Sequence, residues 1–326
     1  MKRSVFSLVL LGAVAILAPA KAQEFRMLSS FPEGFVYNAE ATKPFIEFVR
    51  EESDGAFDIT LTYSDAVPPL EQLEPVQAGV FDLLFTHPAY HAGASTLGLA
   101  MDGIKSDPQA RRASGVIDFL DAHYQEMGMK VIAVPPVGGS NGAFSIYLKD
   151  PITASPSLAG RKIRGTVTYH PLLEALGGSG VVLGAGDVYS SLQKGVIDGA
   201  AFSLGAPQLR WFEVADYVAQ PRFGEVSGLV LMNLDSWNGL TDEQKSVFER
   251  AAVRLELDSV GRFDAIYDAE LETLLAEGMK TTLFPVEEAD RLNSLLSGGV
   301  WALAAKGDPA KAEAFRTLAT NSALID

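Results

Sequence analysis

Arg164 is the residue whose setting most invites chemistry. It ends Leu158-Ala159-Gly160-Arg161-Lys162-Ile163-Arg164, which reads as a turn and a short strand, and it precedes Gly165-Thr166 and a helix expected over 171–176. An arginine at a strand end can hold a planar fork toward a carboxylate and form two parallel charge-assisted hydrogen bonds. Most arginines are exposed, however, and local sequence alone favours a surface residue here. Gly138-Gly139-Ser140-Asn141-Gly142 matches the G-x-S-x-G pattern of a serine nucleophile. That pattern works only with a strand directly before the serine and a helix directly after it. Here Pro135-Pro136 precedes it and 143–148 reads as a strand, so an exported serine hydrolase is the weaker reading and no catalytic residue is assigned. His87 and His91 are four apart, a zinc spacing on a helix. Pro88 lies between them and no acidic third ligand follows closely, so no metal ligand is assigned either. His87 reads instead as a neutral hydrogen-bonding group at a strand end. Gly184-Ala185-Gly186 lacks the third glycine of a dinucleotide fingerprint, and Gly177-Gly178-Ser179-Gly180 runs into a strand. Both read as turns, and no cofactor is implied.

These residues need elements to position them, and the chain alternates strands with helices in the manner of an α/β protein. Strands are expected at 25–29, 57–63, 81–85 and 130–134. Helices are expected at 38–52, where Ala41, Phe45, Phe48 and Val49 share a face, at 70–78 closed by Gly79, and at 107–127 stopped by Gly128. Thr241 and Gln244 form a capping box at the head of the longest helical pattern, 241–276. If Gly261 does not break it, it runs about 50 Å, long enough to cross two lobes. One internal echo stands out. Val76-Gln77-Ala78-Gly79-Val80-Phe81-Asp82 recurs as Leu192-Gln193-Lys194-Gly195-Val196-Ile197-Asp198. Each copy ends a helix with glycine, turns, and enters an apolar strand. Ligands of α/β sheets bind beyond the carboxyl ends of strands, so the echo suggests two similar lobes facing one cleft. Helix–glycine–strand is also common enough to recur by chance.

Composition bounds the function classes. The N-terminus reads as a secretory signal: Lys2 and Arg3, an uncharged apolar run over 5–17, and small residues at Ala20 and Ala22. Cleavage after Ala22 is expected, and the run is too short to span a bilayer. The net charge is −15 and becomes more negative once Lys2, Arg3 and Lys21 are removed. Such a surface repels nucleic acid and anionic lipid. An anionic ligand would therefore need a local cation. The chain has no cysteine, which excludes thiolate chemistry, Cys-bound metals and disulfides.

The run from Leu158 to Arg164, then Ala175-Leu176-Gly177, then Asp187-Val188-Tyr189-Ser190-Ser191-Leu192-Gln193-Lys194-Gly195-Val196-Ile197-Asp198-Gly199, resembles the solute-binding subunits of DctP-type TRAP (tripartite ATP-independent periplasmic) transporters. The signal, the first copy of the echo, Trp237 with Leu240-Thr241, and the long helix fit the same family. The resemblance implies an α/β periplasmic-binding-protein fold of two lobes, with a central cleft, crossing strands and a lobe-spanning helix. It implies lobe I over 23–141 and 227–267, and lobe II over 142–226 and 268–326. It further implies a periplasmic binder of a small organic anion that serves two membrane permease subunits and does no catalysis. A binder serving a sensory receptor would share the same sequence features.

The resemblance places Arg164 on the ligand carboxylate. It draws pocket walls from Ser29, Ser30 and Phe31, from Thr86 and His87, from Phe202 and Ser203, and from Thr166 and Tyr169. Two departures bear on the ligand. Members that bind sialic acid carry a second arginine upstream, where this chain has Phe144, and an asparagine where it has Phe202. Both changes remove polarity and add aromatic surface, so the expected ligand has one dominant anionic group and a less polar body than a sugar acid. Tyr37, Tyr90, Phe144, Tyr169, Phe202 and Trp211 are candidate walls, although aromatics of this kind also build cores.

Overall fold

The computed structural model describes residues 22–325, so the expected signal, apart from Ala22, lies outside the described residues. Two sheets organise the chain. The first has the order β2-β1-β3-β10-β4, with β1 Gln23–Ser29, β2 Phe57–Thr62, β3 Leu83–Thr86, β4 Met129–Ala133 and β10 Leu229–Asn233. The second has the order β11-β9-β5-β8-β6-β7, with β5 Ser145–Leu148, β6 Lys162–Arg164, β7 Ser179–Val181, β8 Gly199–Phe202, β9 Tyr217–Gln220 and β11 Lys280–Leu283. β3, β5, β8 and β10 are buried along their whole length, in keeping with their predominantly apolar sequences.

The echo is a structural duplication. β1 pairs in parallel with β2 and β3, and β6 pairs in parallel with β7 and β8. The helices entering the two echoed turns are α2, Leu73–Gln77, and α6, Val188–Gln193. Gly79 and Gly195 take φ of +72° and +70°, a region that a side chain disfavours. The aspartate that closes each copy has the same task. Asp82 exchanges two hydrogen bonds with the Arg26 backbone, its amide to the carbonyl and its carboxylate from the amide, both at 2.8 Å. Asp198 does the same with Lys162, again at 2.8 Å for each bond. Each aspartate thereby docks the incoming strand on its parallel neighbour.

The chain passes between the sheets over 134–144, returns over 221–228, and crosses once more in helix α8, Asp242–Ala276. The two crossing segments pair through Pro136 with Ser227 and Phe144 with Phe223. Helix α8 runs unbroken through Gly261 for 35 residues, about 50 Å at 1.5 Å per residue. Its capping box is formed: the Thr241 hydroxyl accepts from the Gln244 amide at 3.3 Å, and Gln244 Oε1 accepts from the Thr241 amide at 2.9 Å. Among the described residues no helix is long and apolar enough to cross a membrane.

Two expectations are corrected. The helix expected over 107–127 is divided into α3, Pro108–Ala113, and α4, Val116–Gln125. Gly115 adopts φ +80°, a left-handed residue that ends one helix and redirects the next. The span 268–326 does not pack wholly in the second lobe. Trp301 and Ala304 of α10, Leu292–Gly307, and Phe315 and Ala319 of α11, Pro309–Asn321, share a core cluster with Leu28, Leu84 and Leu231 of the first sheet. The apolar face of that sheet needs a helical cover, and the C-terminal helices supply it.

Candidate functional site

β1, β3, β6 and β8 end at Ser29, Thr86, Arg164 and Phe202, the carboxyl edges of the two duplicated units. These ends come together where the lobes meet. The Tyr37 hydroxyl, from the first lobe, donates to Ser203 Oγ of the second at 2.6 Å. Phe35 and Phe202 pack edge to face with ring centroids 6.0 Å apart.

Arg164 is fully buried. β6 and β8 lie side by side in parallel, which brings the Ala201 carbonyl to Nη1 at 3.1 Å, while Nε donates to the Leu183 carbonyl at 2.9 Å. These two bonds fix the plane of the fork. Nη2 is buried without a hydrogen-bond partner, and among the described residues no carboxylate forms an ion pair with the guanidinium. The guanidinium carbon lies 5.1 Å from the centre of the Phe202 ring. Burial lowers the pKa of Arg164, and the nearby Tyr90 and Tyr169 oppose that shift. A desolvated cation with no counterion and one unused edge is costly unless something anionic completes it.

Aromatic groups form the surroundings. Phe144 meets Tyr169 edge to face at 5.0 Å, and Phe202 lies against Trp211 at 5.3 Å. From the first lobe, Phe31 contacts Tyr37 at 5.0 Å and Tyr90 at 5.9 Å. Burial raises the pKa of the Tyr90 and Tyr169 phenols while Arg164 pulls both down, and burial dominates. Both are therefore neutral phenols beside a cation.

Several expected site residues are occupied within the protein. Ser30 Oγ lies 2.7 Å from Gln72 Oε1 and 2.8 Å from Thr86 Oγ1, so the Ser30 and Thr86 hydroxyls tie two strand ends together. His87 Nδ1 accepts from the Ala89 amide at 3.2 Å, which leaves the proton on Nε2, 3.0 Å from Asp102. Both ring nitrogens are thus engaged, and His87 offers a cleft only its ring. His91 is turned away, with Nε2 2.6 Å from the Tyr124 hydroxyl, and burial pushes its pKa down to about 3. The two histidines do not converge. Thr166 is half-buried, and its carbonyl accepts from the Tyr169 amide at 3.0 Å, starting the turn that carries Tyr169. Ser140 is exposed in a turn, and its amide is held by Asp264 at 2.6 Å. A strand and not a helix follows it, so the context of a nucleophile elbow is missing.

The structure adds groups that sequence reasoning missed. The Leu183 and Ala201 carbonyls aim Arg164, and no side-chain pattern marks a backbone carbonyl. Glu270 accepts from the Gly205 amide at 2.7 Å. In sequence it is one of several acidic residues on a long helix.

Residues 30–294 match the DctP family, described as bacterial extracellular solute-binding protein, family 7. A monocarboxylate 2-oxoacid-binding periplasmic protein of Nostoc sp. is 28% identical over 279 residues, covering 81% of this chain and 74% of that protein. Among solved structures, a TRAP transporter solute-binding protein from Bordetella bronchiseptica, with calcium and picolinate in its active site, aligns with a TM-score of 0.79 at 21% identity, covering 93% of this chain and 94% of that one. A TRAP periplasmic solute-binding protein from Desulfovibrio salexigens with bound orotic acid aligns with a TM-score of 0.80 at 18% identity, covering 92% and 98%.

Proposed function

The chain belongs to the DctP family of bacterial extracellular solute-binding proteins, and from that premise we propose that it is a periplasmic receptor for a small monocarboxylate, delivering it to the membrane subunits of a TRAP transporter. The observation that carries this reading is the unpartnered, buried Nη2 edge of Arg164. A carboxylate set against that edge would take two of the three N–H donors that the fork leaves unused and neutralise the buried charge. Phe202, Phe144, Tyr169 and Tyr90 would enclose the rest of the ligand, with Thr166 at the margin. Ser30, Thr86 and His87 would act mainly by holding the strand ends. An aromatic enclosure with one cation suits a flat or short acid better than a sugar acid with many hydroxyls. The monocarboxylate, picolinate and orotate partners of the relatives are acids of that kind. Export would follow from the N-terminal signal, and the ligand would be released to the permease when the lobes part.

The test is a melting-temperature screen of the protein lacking residues 1–22 against 2-oxo, aromatic, hydroxy and sugar acids. An acid present at 100 times its Kd should add about 2.7 kcal/mol of stability. Short or planar monocarboxylates are expected to raise the transition and uronic acids to leave it unchanged. If only neutral or cationic compounds raise it, the anion reading fails.

A further inference from the structure

Helix α8 braces the region between the lobes with a row of polar side chains. Glu256 accepts from the Val134 amide at 2.7 Å and from both sides of the Arg112 fork. Asp264 takes the Ser140 amide, and the Tyr267 hydroxyl donates to the Val137 carbonyl at 3.3 Å. The contacts to Val134, Val137 and Ser140 act on the segment that crosses out of the first sheet, and the one to Arg112 ties in α3. Glu270 reaches further, into the second lobe. One carboxyl oxygen accepts from the Gly205 amide, and the other lies 3.1 Å from the Tyr147 hydroxyl.

The backbone that Glu270 holds is the second lobe's half of the contact between lobes. Phe202 lies on Arg164, Ser203 accepts from Tyr37, and Gly205 sits against Phe35. We propose that Glu270 is a positioning residue for closure of the lobes, and that its protonation favours the closed arrangement. The inference rests on the binding-protein reading above, since closure matters only if a ligand is trapped by it.

The physical case is one of charge and water. Glu270 is buried and has no ion pair among the described residues. The groups that face it are Tyr147 from β5, Tyr267 from its own helix, Arg222 from the returning crossing segment, and Tyr37 from the first lobe. Arg222 is itself engaged, 3.2 Å from Asp268 and over the Tyr267 ring. Burial raises the Glu270 carboxyl to about 7, only partly offset by bonds from Gly205, Tyr147 and Ala206 and by the charge of Arg222. The Gly205 amide donates to one oxygen and the Tyr147 hydroxyl to the other, and burial keeps that phenol neutral, so neither bond supplies a counter-charge to the ionised carboxyl.

Parting the lobes would lift Tyr37 and Phe35 off Ser203 and Gly205 and bring water closer to the carboxyl. The carboxyl is therefore drier, and its pKa higher, in the closed arrangement. A carboxyl raised in this way contributes most to closure at low pH, and that contribution is lost as pH rises toward and through about 7.

The chain has no cysteine, so a clean label pair can be introduced at two exposed positions, one in each lobe, as Glu71→Cys and Gly186→Cys. Spin-label distances are then measured without ligand at about pH 5.5 and about pH 8.5, where the ratio of closed to open forms should fall about threefold or more on the alkaline side. Glu270→Gln keeps an acceptor for Gly205 and removes the titration, so its ratio should not change with pH. A pH-independent ratio in the parent, or a Glu270→Gln variant that responds like the parent, overturns the proposal. Calorimetry with pyruvate and picolinate on the same proteins separates the two readings. Failure of both acids to bind, with the Glu270-dependent closure intact, would count against the ligand assignment while supporting this one.

Discussion

Replacing Arg164 by alanine should remove most of the ligand affinity while leaving the fold in place. Without ligand, the guanidinium makes two bonds to backbone carbonyls, Leu183 and Ala201, and its pKa is lowered by burial. Loss of those bonds costs about 1–3 kcal/mol for each carbonyl left dry. Removing a buried cation that has no counterion returns a comparable amount, and the space vacated admits water to the carbonyls. The stability of the free protein should therefore change by only about 1–2 kcal/mol. With ligand bound the balance differs, because the variant buries a carboxylate with no partner. Truncating one side of such a pair costs roughly 2–5 kcal/mol, a rise in Kd of about 30- to 5000-fold. Isothermal titration with whichever acid most raises the melting temperature measures it directly. The loss should persist as salt is raised, since a desolvated pair is little screened. Arg164→Lys should fall between, because an ammonium keeps the charge but not the planar fork and must share its donors with the same two carbonyls. If Arg164→Ala binds the acid within threefold of the parent, the carboxylate is held elsewhere and the site has been misread.

Two further substitutions test the frame around that site. Gly205 has φ +105°, and a methyl group there would lie 2.4 Å from Phe35 Cε2. Gly205→Ala should therefore weaken binding by roughly 1–3 kcal/mol through hindered closure, with partial recovery in the Gly205→Ala, Phe35→Ala double variant; equal affinity of the parent and the single variant would show that the contact is not needed. Thr241→Ala breaks the capping box of α8 and should lower unfolding stability by about 1 kcal/mol, measured by denaturant titration, with ligand affinity unchanged because the helix head is remote from the cleft.

The echoed segments show how much of the fold was legible. Gly79 and Gly195 announce a helix end, and the aspartates three residues later repeat because each must grip a neighbouring strand backbone. That demand is local and recurs in each lobe, so it leaves a matched trace in the chain. The capping box at Thr241 and Gln244 was legible for the same reason. The helix expected over 107–127 was misjudged because its apolar periodicity continues across Gly115, and periodicity does not report a glycine's φ. The C-terminal helices were misassigned because an amphipathic helix specifies that it must be covered, not by which sheet.

Arg164 marks the division most clearly. The sequence by itself determined that an arginine ends a short strand, that the chain is strongly acidic elsewhere, and that the surrounding motif resembles a family of solute binders. Only the tertiary structure decided that this arginine is buried, that the Leu183 and Ala201 carbonyls aim it, and that one edge is left without a partner. It also decided that Ser30, Thr86 and His87 spend their polar atoms inside the first lobe, and that Glu270 is a dry carboxyl behind the cleft and not a solvated one. The physical reason is range. Caps, turns and strand docking depend on residues close in sequence or repeated with it, whereas desolvation and hydrogen-bond satisfaction depend on whatever distant segments the folded chain brings alongside.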